Sequence, residues 1–376
     1  LKKISLLGAS GSVGTTTIKI IRKFREDFQL HSFSVHSSID IAKNIIEEFS
    51  PEYLVITDST QKIGDKFQNT KILYGYDSLS EIVALPEVDI VVTAIVGSIG
   101  AMPTISAIKA NKKIAIANKE TLVTFGPYIQ KLLSKSQSKL VPVDSEHNAI
   151  FQLLENQKLD SIKSITLTAS GGSFRDYPLE KLSSVTVAEA LNHPTWKMGK
   201  KITIDSAGLV NKGLEIIEAH FLFGLPYEKI KVVVHPESIV HGMIEQIDGA
   251  VMLYASKPDM SFPVAHALFY PEPTKKELEI FTPVEWKSLN FREADTKRYP
   301  ALQLAYETGK SGGTAPAIFN AANEEAVDLF LKEKISFLEI PKLIEKTLSK
   351  IPILAGNELE EYLEAETKAR EFVKRN

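Results

Sequence analysis

The chain alternates short runs rich in apolar residues with longer stretches in which apolar residues recur every three or four positions. Residues 3–7, 30–35, 53–57, 90–96 and 113–117 are of the first kind; residues 15–24, with Ile18, Ile21 and Phe24 at helical spacing, and residues 102–109 are of the second. Apolar runs bounded by glycine or polar turns predict buried strands, and the periodic segments predict helices between them. The alternation predicts an α/β protein whose N-terminal part is a doubly wound parallel sheet. A further run, residues 140–143, reads as a strand that enters Asp144, Ser145, Glu146 and His147 directly. In extended backbone, residues two apart project to one side, so Asp144 and Glu146 are expected to converge on a point that a cation or a proton must occupy.

Beyond His147 the pattern changes. A helix continues through residues 150–154, and a strand over 162–168 ends in Ala169-Ser170-Gly171-Gly172-Ser173. Residues 202–204 are read as a strand leading to Ser206, with a helix beginning near Leu209 or Val210. Strands over 231–234, 243–246 and 250–255 predict a partly antiparallel sheet, followed by a turn at Lys257-Pro258-Asp259-Met260 and a helix-like stretch over 264–269. The proline- and charge-rich residues 270–300 read as a linker. Helical periodicity returns over 301–308, 320–332, 337–350 and 359–374. The organisation expected is an N-terminal domain over 1–144, a central α+β catalytic and dimerisation domain over 145–269, the linker, and a C-terminal helical bundle over 301–376.

At 376 residues the chain is too long for one ordinary core, which agrees with several domains. A net charge of −3 gives no electrostatic case for nucleic acid or an anionic membrane, so an anionic ligand must be met by a local site. The absence of cysteine excludes disulfides, thiolate metal sites and cysteine nucleophiles. No apolar run approaches the roughly 20 residues of a spanning helix, and Leu1-Lys2-Lys3 leads into a strand, so a cytosolic location is expected.

Gly8-Ala9-Ser10-Gly11-Ser12-Val13-Gly14 lies between the first strand and the first helix. Strand, glycine turn and helix in that order let backbone N–H groups at a helix N-terminus hold a pyrophosphate, the arrangement of Rossmann-like dinucleotide domains. The second strand ends at His36-Ser37-Ser38, with no acid until Asp40 to accept a ribose hydroxyl. Donors in place of the acid favour a 2′-phosphate, although His36 reads equally as a surface residue at a strand end. Ala94-Ile95-Val96-Gly97, Asn118-Lys119-Glu120 and Asp144-Ser145-Glu146 follow other strands, where such sheets bind ligands. Asn211 and Glu215 share one face of a helix, with Lys212 beside them. That face suits a phosphate and a hard divalent ion, with Glu215 as a third carboxylate. Trp196, between polar residues in Asn192-His193-Pro194-Thr195-Trp196-Lys197-Met198-Gly199, is placed to close over a ligand.

Taken together, the glycine turn, Ala117-Asn118-Lys119-Glu120, the run Pro142 to Gln152, Ser170-Gly171-Gly172, His193-Pro194-x-Trp196-x-Met198-Gly199, Asp205-Ser206-Ala207 with Asn211-Lys212-Gly213-Leu214-Glu215, His235-Pro236-x-Ser238-x-x-His241, Pro258-Asp259-Met260 and Phe319 to Glu324 resemble the 1-deoxy-D-xylulose-5-phosphate reductoisomerase family. The resemblance spans nearly the whole chain in order. It implies a homodimer that uses NADPH and one divalent cation, Mg²⁺ or Mn²⁺, to rearrange and reduce a sugar phosphate, with no nucleic-acid or membrane partner. By resemblance, Asp144, Glu146 and Glu215 are the metal ligands, and Lys119, Glu146, His193 and Lys212 form the catalytic set. Ser145, Ser170, Trp196, Ser206, Asn211, His241 and Met260 join them around the substrate. Ser10, Gly11, Ser12, Val13, His36, Ser37, Ser38, Asn118, Glu120 and Gly199 are expected along the cofactor.

Two positions depart from the family pattern. His36-Ser37-Ser38 stands where glycine, a basic residue and asparagine are usual, and Gly208 stands where a hydroxyl or larger side chain is usual, predicting a more mobile loop there. The residues alone also admit a different NADP-dependent dehydrogenase, which gives no reason for the three carboxylates, or a non-catalytic nucleotide-binding regulator, which needs neither metal nor lid.

Overall fold

The computed structural model describes residues 1–279 and 281–375. The chain forms two compact units, each discontinuous in sequence: Leu1–Thr121 with Ile129–Asn148 and Asp259–Ile280, and Leu122–Tyr128 with Ala149–Pro258 and Phe281–Asn376.

The first unit is built on strands β1 (Lys2–Leu7), β2 (Phe28–Val35), β3 (Tyr53–Ile56), β4 (Lys66–Phe67), β5 (Thr70–Tyr74), β6 (Ile90–Thr93), β7 (Lys113–Ile116) and β8 (Lys139–Pro142), in the sheet order β4-β5-β3-β2-β1-β6-β7-β8. All pairings are parallel except β4 with β5. The central strands are buried along nearly all of their length, as a parallel sheet covered on both faces requires, and apolar residues dominate them apart from buried His31, Ser32 and Ser34 on β2. From β1 the chain fills the sheet first on one side and then, from β6, on the other. The crevice at that reversal, beyond the carboxyl ends of β1 and β6, is where such sheets take ligands. The β4–β5 hairpin has no clear sequence signature, because its residues are only partly buried. Phe269, on the helix Ser261–Phe269, meets Phe24 and Phe28 edge-on, so residues 261–269 belong with the first unit despite their distance along the chain.

The second unit has strands β9 (Ile162–Ala169), β10 (Ile230–Val234), β11 (Val240–Gln246), β12 (Val251–Ala255) and β13 (Arg292–Glu293), in the order β12-β11-β9-β10-β13. Only β9 and β10 are parallel. The helix Val210–Phe223 carries Leu214, Ile216 and Ile217 into a core shared with Ile165, Leu167, Phe319 and Phe330. The helices Pro300–Ser311, Ala315–Leu331, Glu339–Lys350 and Leu359–Arg375 complete this unit.

Two local expectations are corrected. Residues 202–204 are not a strand: Lys200–Ala207 is a helix. Ile202, Thr203 and Ile204 favour extended backbone intrinsically, but residues 203–207 are buried by packing, which overrides the propensity. The strand before Asp144 stops at Pro142, and Ser145–Leu154 is a helix. Glu146 therefore stands on a first helical turn, and the two-residue periodicity of extended chain does not relate it to Asp144. Among the described residues, no helix is long and apolar enough to cross a membrane.

Candidate active site

In the first unit the glycine turn closes β1 onto the helix Ser12–Lys23. Gly8 has φ +86°, and a Cβ there would lie 2.6 Å from the Ala94 carbonyl oxygen; a Cβ on Gly14 would lie 2.1 Å from the Gly8 oxygen. These two glycines are required by backbone proximity. Gly11 precedes the helix without a side-chain cap, so the first N–H groups of the helix face outward beside Ser10, Ser12 and Val13. Ser34, buried on β2, accepts a hydrogen bond from the Gly8 N–H at 2.9 Å and holds the turn in place. His36 follows on the same strand end, its Nδ1 3.0 Å from Thr57 Oγ1, while Ser37 is exposed. Ser38 precedes the next helix without capping it by its side chain.

Asn118 caps the helix Lys119–Leu133. Its Oδ1 accepts from the Thr121 N–H at 2.9 Å, and its amide donates to the carbonyls of Ile95 and, at 2.8 Å, Gly97. The side chain thus ties the end of β6 to the start of the helix. Lys119 and Glu120, next in line, are buried. The Lys119 ammonium pairs with the Asp144 carboxylate, and Ser145 Oγ donates to Glu146 Oε2 at 2.6 Å. Asn148 fixes this corner by donating to the Pro142 carbonyl at 2.7 Å and contacting His266 Nδ1 at 2.9 Å. Met260 lies immediately before the helix Ser261–Phe269.

In the second unit, Gly171 and Gly172 take φ of +85° and +67°, turning the chain sharply after β9. A Cβ on Gly172 would meet the Ser206 carbonyl oxygen at 2.4 Å, so this loop lies directly against the helix Lys200–Ala207. Ser170 Oγ and Ser206 Oγ stand 3.0 and 3.3 Å from His193 Nε2. His193 Nδ1 accepts from the N–H groups of Thr195 and Trp196 at 3.1 and 2.9 Å, which places the ring proton on Nε2. Burial, with the nearby Arg175 charge adding to it, lowers the His193 pKa to about 4. The imidazole is therefore neutral near pH 7 and offers an N–H beside two hydroxyls. Trp196 joins this group through its backbone and is half-buried.

One helix further on, Glu215 accepts from Asn211 Nδ2 at 2.5 Å and pairs with the Lys212 ammonium. Lys212 and Glu215 are both buried. The turn before them puts Leu209 at φ +52°, while Gly208, at φ −101°, adopts a conformation open to any residue. His241, on β11, has Nε2 3.3 Å from the Ser256 carbonyl oxygen. Gly199 precedes the helix Lys200–Ala207, with nothing within 4 Å of where its Cβ would be.

The structure thus assembles Ser170, His193 and Ser206 in one group and Asn211, Lys212 and Glu215 in another. Lys119, Asp144, Ser145 and Glu146 form neighbouring pairs in the first unit. Sequence reasoning missed Ser34 and Thr57, polar residues at or near the ends of apolar strands whose partners lie many residues away.

Comparison with known proteins decides the family. A model described as 1-deoxy-D-xylulose 5-phosphate reductoisomerase matches residues 4–126, and two models of the C-terminal domains of the same enzyme match residues 140–223 and 255–372. A curated 1-deoxy-D-xylulose 5-phosphate reductoisomerase of Leptospira biflexa is 59% identical over 99% of this chain and 97% of its own length. The chain belongs to the 1-deoxy-D-xylulose 5-phosphate reductoisomerase family. The reductoisomerase of Leptospira interrogans is 60% identical over 99% of this chain and 96% of its own. Among solved reductoisomerases, one in complex with NADPH, fosmidomycin and magnesium superposes with a TM-score of 0.94 at 37% identity, covering 100% of this chain and 98% of that one. The Zymomonas mobilis reductoisomerase in complex with NADPH gives 0.91 at 36% identity over the same shares.

Proposed function

We propose that this chain carries out its family's reaction, the NADPH- and divalent-metal-dependent conversion of 1-deoxy-D-xylulose 5-phosphate to 2-C-methyl-D-erythritol 4-phosphate, in isoprenoid precursor synthesis. The observation that carries the reading is 59–60% identity to curated reductoisomerases over essentially the full length. The donor sets fit both groups. The Gly11 helix start offers uncapped N–H groups to a pyrophosphate, and Asp144, Glu146 and Glu215 are hard oxygen donors of the kind Mg²⁺ and Mn²⁺ take. When bound, the divalent ion supplies Lewis-acid polarisation of the keto-alcohol and NADPH supplies the reducing equivalent.

The residues of the chain do the positioning. Ser170, Ser206, the neutral His193 Nε2–H, Asn211 and Lys212 are proposed to anchor the phosphate, so that binding energy remote from the reacting carbons orders them. Lys119 and Lys212 bring fixed positive charge to where oxyanion charge develops. Trp196, His241 and Met260 are proposed to exclude water around the substrate, and Ser145 to orient it. His36, Ser37 and Ser38 are assigned to the 2′-phosphate, and Asn118, Glu120 and Gly199 to the rest of the cofactor.

The expected division of labour is retained as a proposal, with a cofactor domain over 1–144, a catalytic and dimerisation domain over 145–269, a linker and a helical domain over 301–376. Val251 and Leu253 on the edge strand β12, with Ile247, are large apolar side chains exposed to solvent, which favours a second copy of the chain as their cover and hence a homodimer. Manganese as an alternative metal and a cytoplasmic location follow from the same family reading. Incubation with 1-deoxy-D-xylulose 5-phosphate, NADPH and Mg²⁺, with mass-spectrometric identification of the product, tests the function: the branched tetrol phosphate supports it, and its absence overturns it.

A further inference from the structure

The helix Lys200–Ala207 presents Ser206, and the residue before it is a nearly fully buried aspartate. Asp205 is 1% exposed, and its Oδ1 accepts from the Nδ2 of Asn323, itself 0% exposed, at 2.9 Å. Lys201, one turn earlier, lies 2.8 Å from Asp205 Oδ2. Aspartate is a poor mid-helix residue and costly to bury, and the Lys201 pair satisfies only one of its two oxygens within the helix. Its effect is to fasten this short helix, marginal by itself, to the long helix Ala315–Leu331 of the same unit. Neither residue has a substrate or metal role in the reading above, although both lie inside motifs that carry the resemblance.

We propose that Asp205 and Asn323 are positioning residues for the substrate group: their hydrogen bond sets where Ser206 stands and where the following turn delivers Asn211 and Lys212. The inference rests on the functional reading above. The turn carries the constraint. Leu209 is a buried leucine held at φ +52°, a conformation that bulky residues keep only when the surroundings impose it. On one side Gly172 packs against Ser206 and Ala207. On the other, Asp205, Gly208, Val210, Val327 and Phe337 line a small, mostly apolar cavity, so packing on that side of the turn is incomplete. The turn is held on one side by the packing of Gly172 and by the Leu209 N–H donating to the Ser206 carbonyl at 3.2 Å, and on the other by the Asp205–Asn323 bond.

Asn323→Leu removes the donor at nearly constant volume. Asp205→Asn keeps the bond, because the new amide oxygen still accepts from Asn323 Nδ2, while its N–H₂ takes the place of the oxygen that faced Lys201, whose side chain is 18% exposed and can turn its ammonium to water. Steady-state kinetics, NADPH affinity by fluorescence and thermal melting are measured on wild type and both variants. Asn323→Leu is expected to raise KM for 1-deoxy-D-xylulose 5-phosphate about tenfold or more, as a small misplacement of anchoring groups does, with NADPH affinity unchanged; Asp205→Asn is expected to stay within about threefold of wild type. A merely structural bond would lower the melting temperature without moving KM. A folded Asn323→Leu with wild-type KM overturns the proposal; if that variant does not fold, Asn323→Ser is judged by the same criterion. Wild type without turnover on this substrate is a separate outcome: it overturns the functional reading, and the positioning role with it.

Discussion

Lys212 and Glu215, three residues apart on the helix Val210–Phe223, form an ion pair whose side chains are only 3% and 2% exposed. Two charges so far from water are retained at a cost in stability, and a missing partner leaves the other uncompensated. Lys212→Met is expected to destabilise the chain by about 3 kcal/mol or more, and Lys212→Met with Glu215→Gln to recover part of that loss, because no lone charge then remains. Urea melts of the single and double variants measure the difference; additive losses would contradict the coupling.

Glu215→Gln alone keeps the side-chain shape and removes a metal-binding charge, but it also leaves buried Lys212 uncompensated, so turnover is read on protein shown by melting to be folded. Turnover is expected to fall roughly a hundredfold or more, the scale of losing one preorganised electrostatic group, while NADPH affinity stays within about twofold. Near-normal turnover in this variant would remove Glu215 from the metal set.

Burial lowers the pKa of His193 to about 4, with Arg175 adding to it, and that of His266 to about 4, with Lys113 adding to it. In the unfolded chain each titrates near roughly 6.5. Between these values the unfolded chain binds more protons than the folded one, so stability is full above the unfolded value and falls as pH drops from about 6.5 toward 4. His266→Asn should flatten that fall in urea melts taken across this window. An unchanged slope would show that His266 is not held neutral.

Much of this was legible in the sequence, for physical reasons that differ from place to place. Buried parallel strands leave runs rich in apolar residues, so β1, β6 and β7 could be read directly and β2 despite His31, Ser32 and Ser34, and Gly8 and Gly14 marked a turn whose close contacts only glycine permits. The helix at Lys200–Ala207 was hidden because Ile202-Thr203-Ile204 is β-branched and its stabilising contacts come from distant segments. Asp144 and Glu146 were recognised by residue type, but their relation depends on a strand ending at Pro142, and a boundary that fine is not written in local composition. Gly208 drew attention as an unusual residue, yet the left-handed position in that turn falls on Leu209.

That last observation separates two glycines. Gly172 has positive φ, and any Cβ would meet backbone atoms of Ser206 and Ala207, whereas a Cβ on Gly208 would touch Phe337 at 3.5 Å, an ordinary contact. Gly172→Ala is expected to raise KM for the sugar phosphate and to cost about 1–3 kcal/mol or more. Gly208→Ala should be neutral or stabilising by up to about 1 kcal/mol. Thermal melting and KM measured side by side decide it; equal effects would contradict the geometry.

Ser34 is the acceptor for the Gly8 N–H. In Ser34→Ala that N–H loses its partner, and KM for NADPH is expected to rise about fivefold, equivalent to roughly 1 kcal/mol, with kcat and the sugar-phosphate KM unchanged. An unaltered NADPH affinity would show that the turn holds its shape without Ser34.

The most direct test of the whole account is NADPH consumption on addition of 1-deoxy-D-xylulose 5-phosphate, followed before chelation, after chelation and after Mg²⁺ is restored. The account predicts consumption that stops with the chelator and returns with the metal. Consumption that ignores the chelator, or none at all from folded protein with metal present, would contradict it.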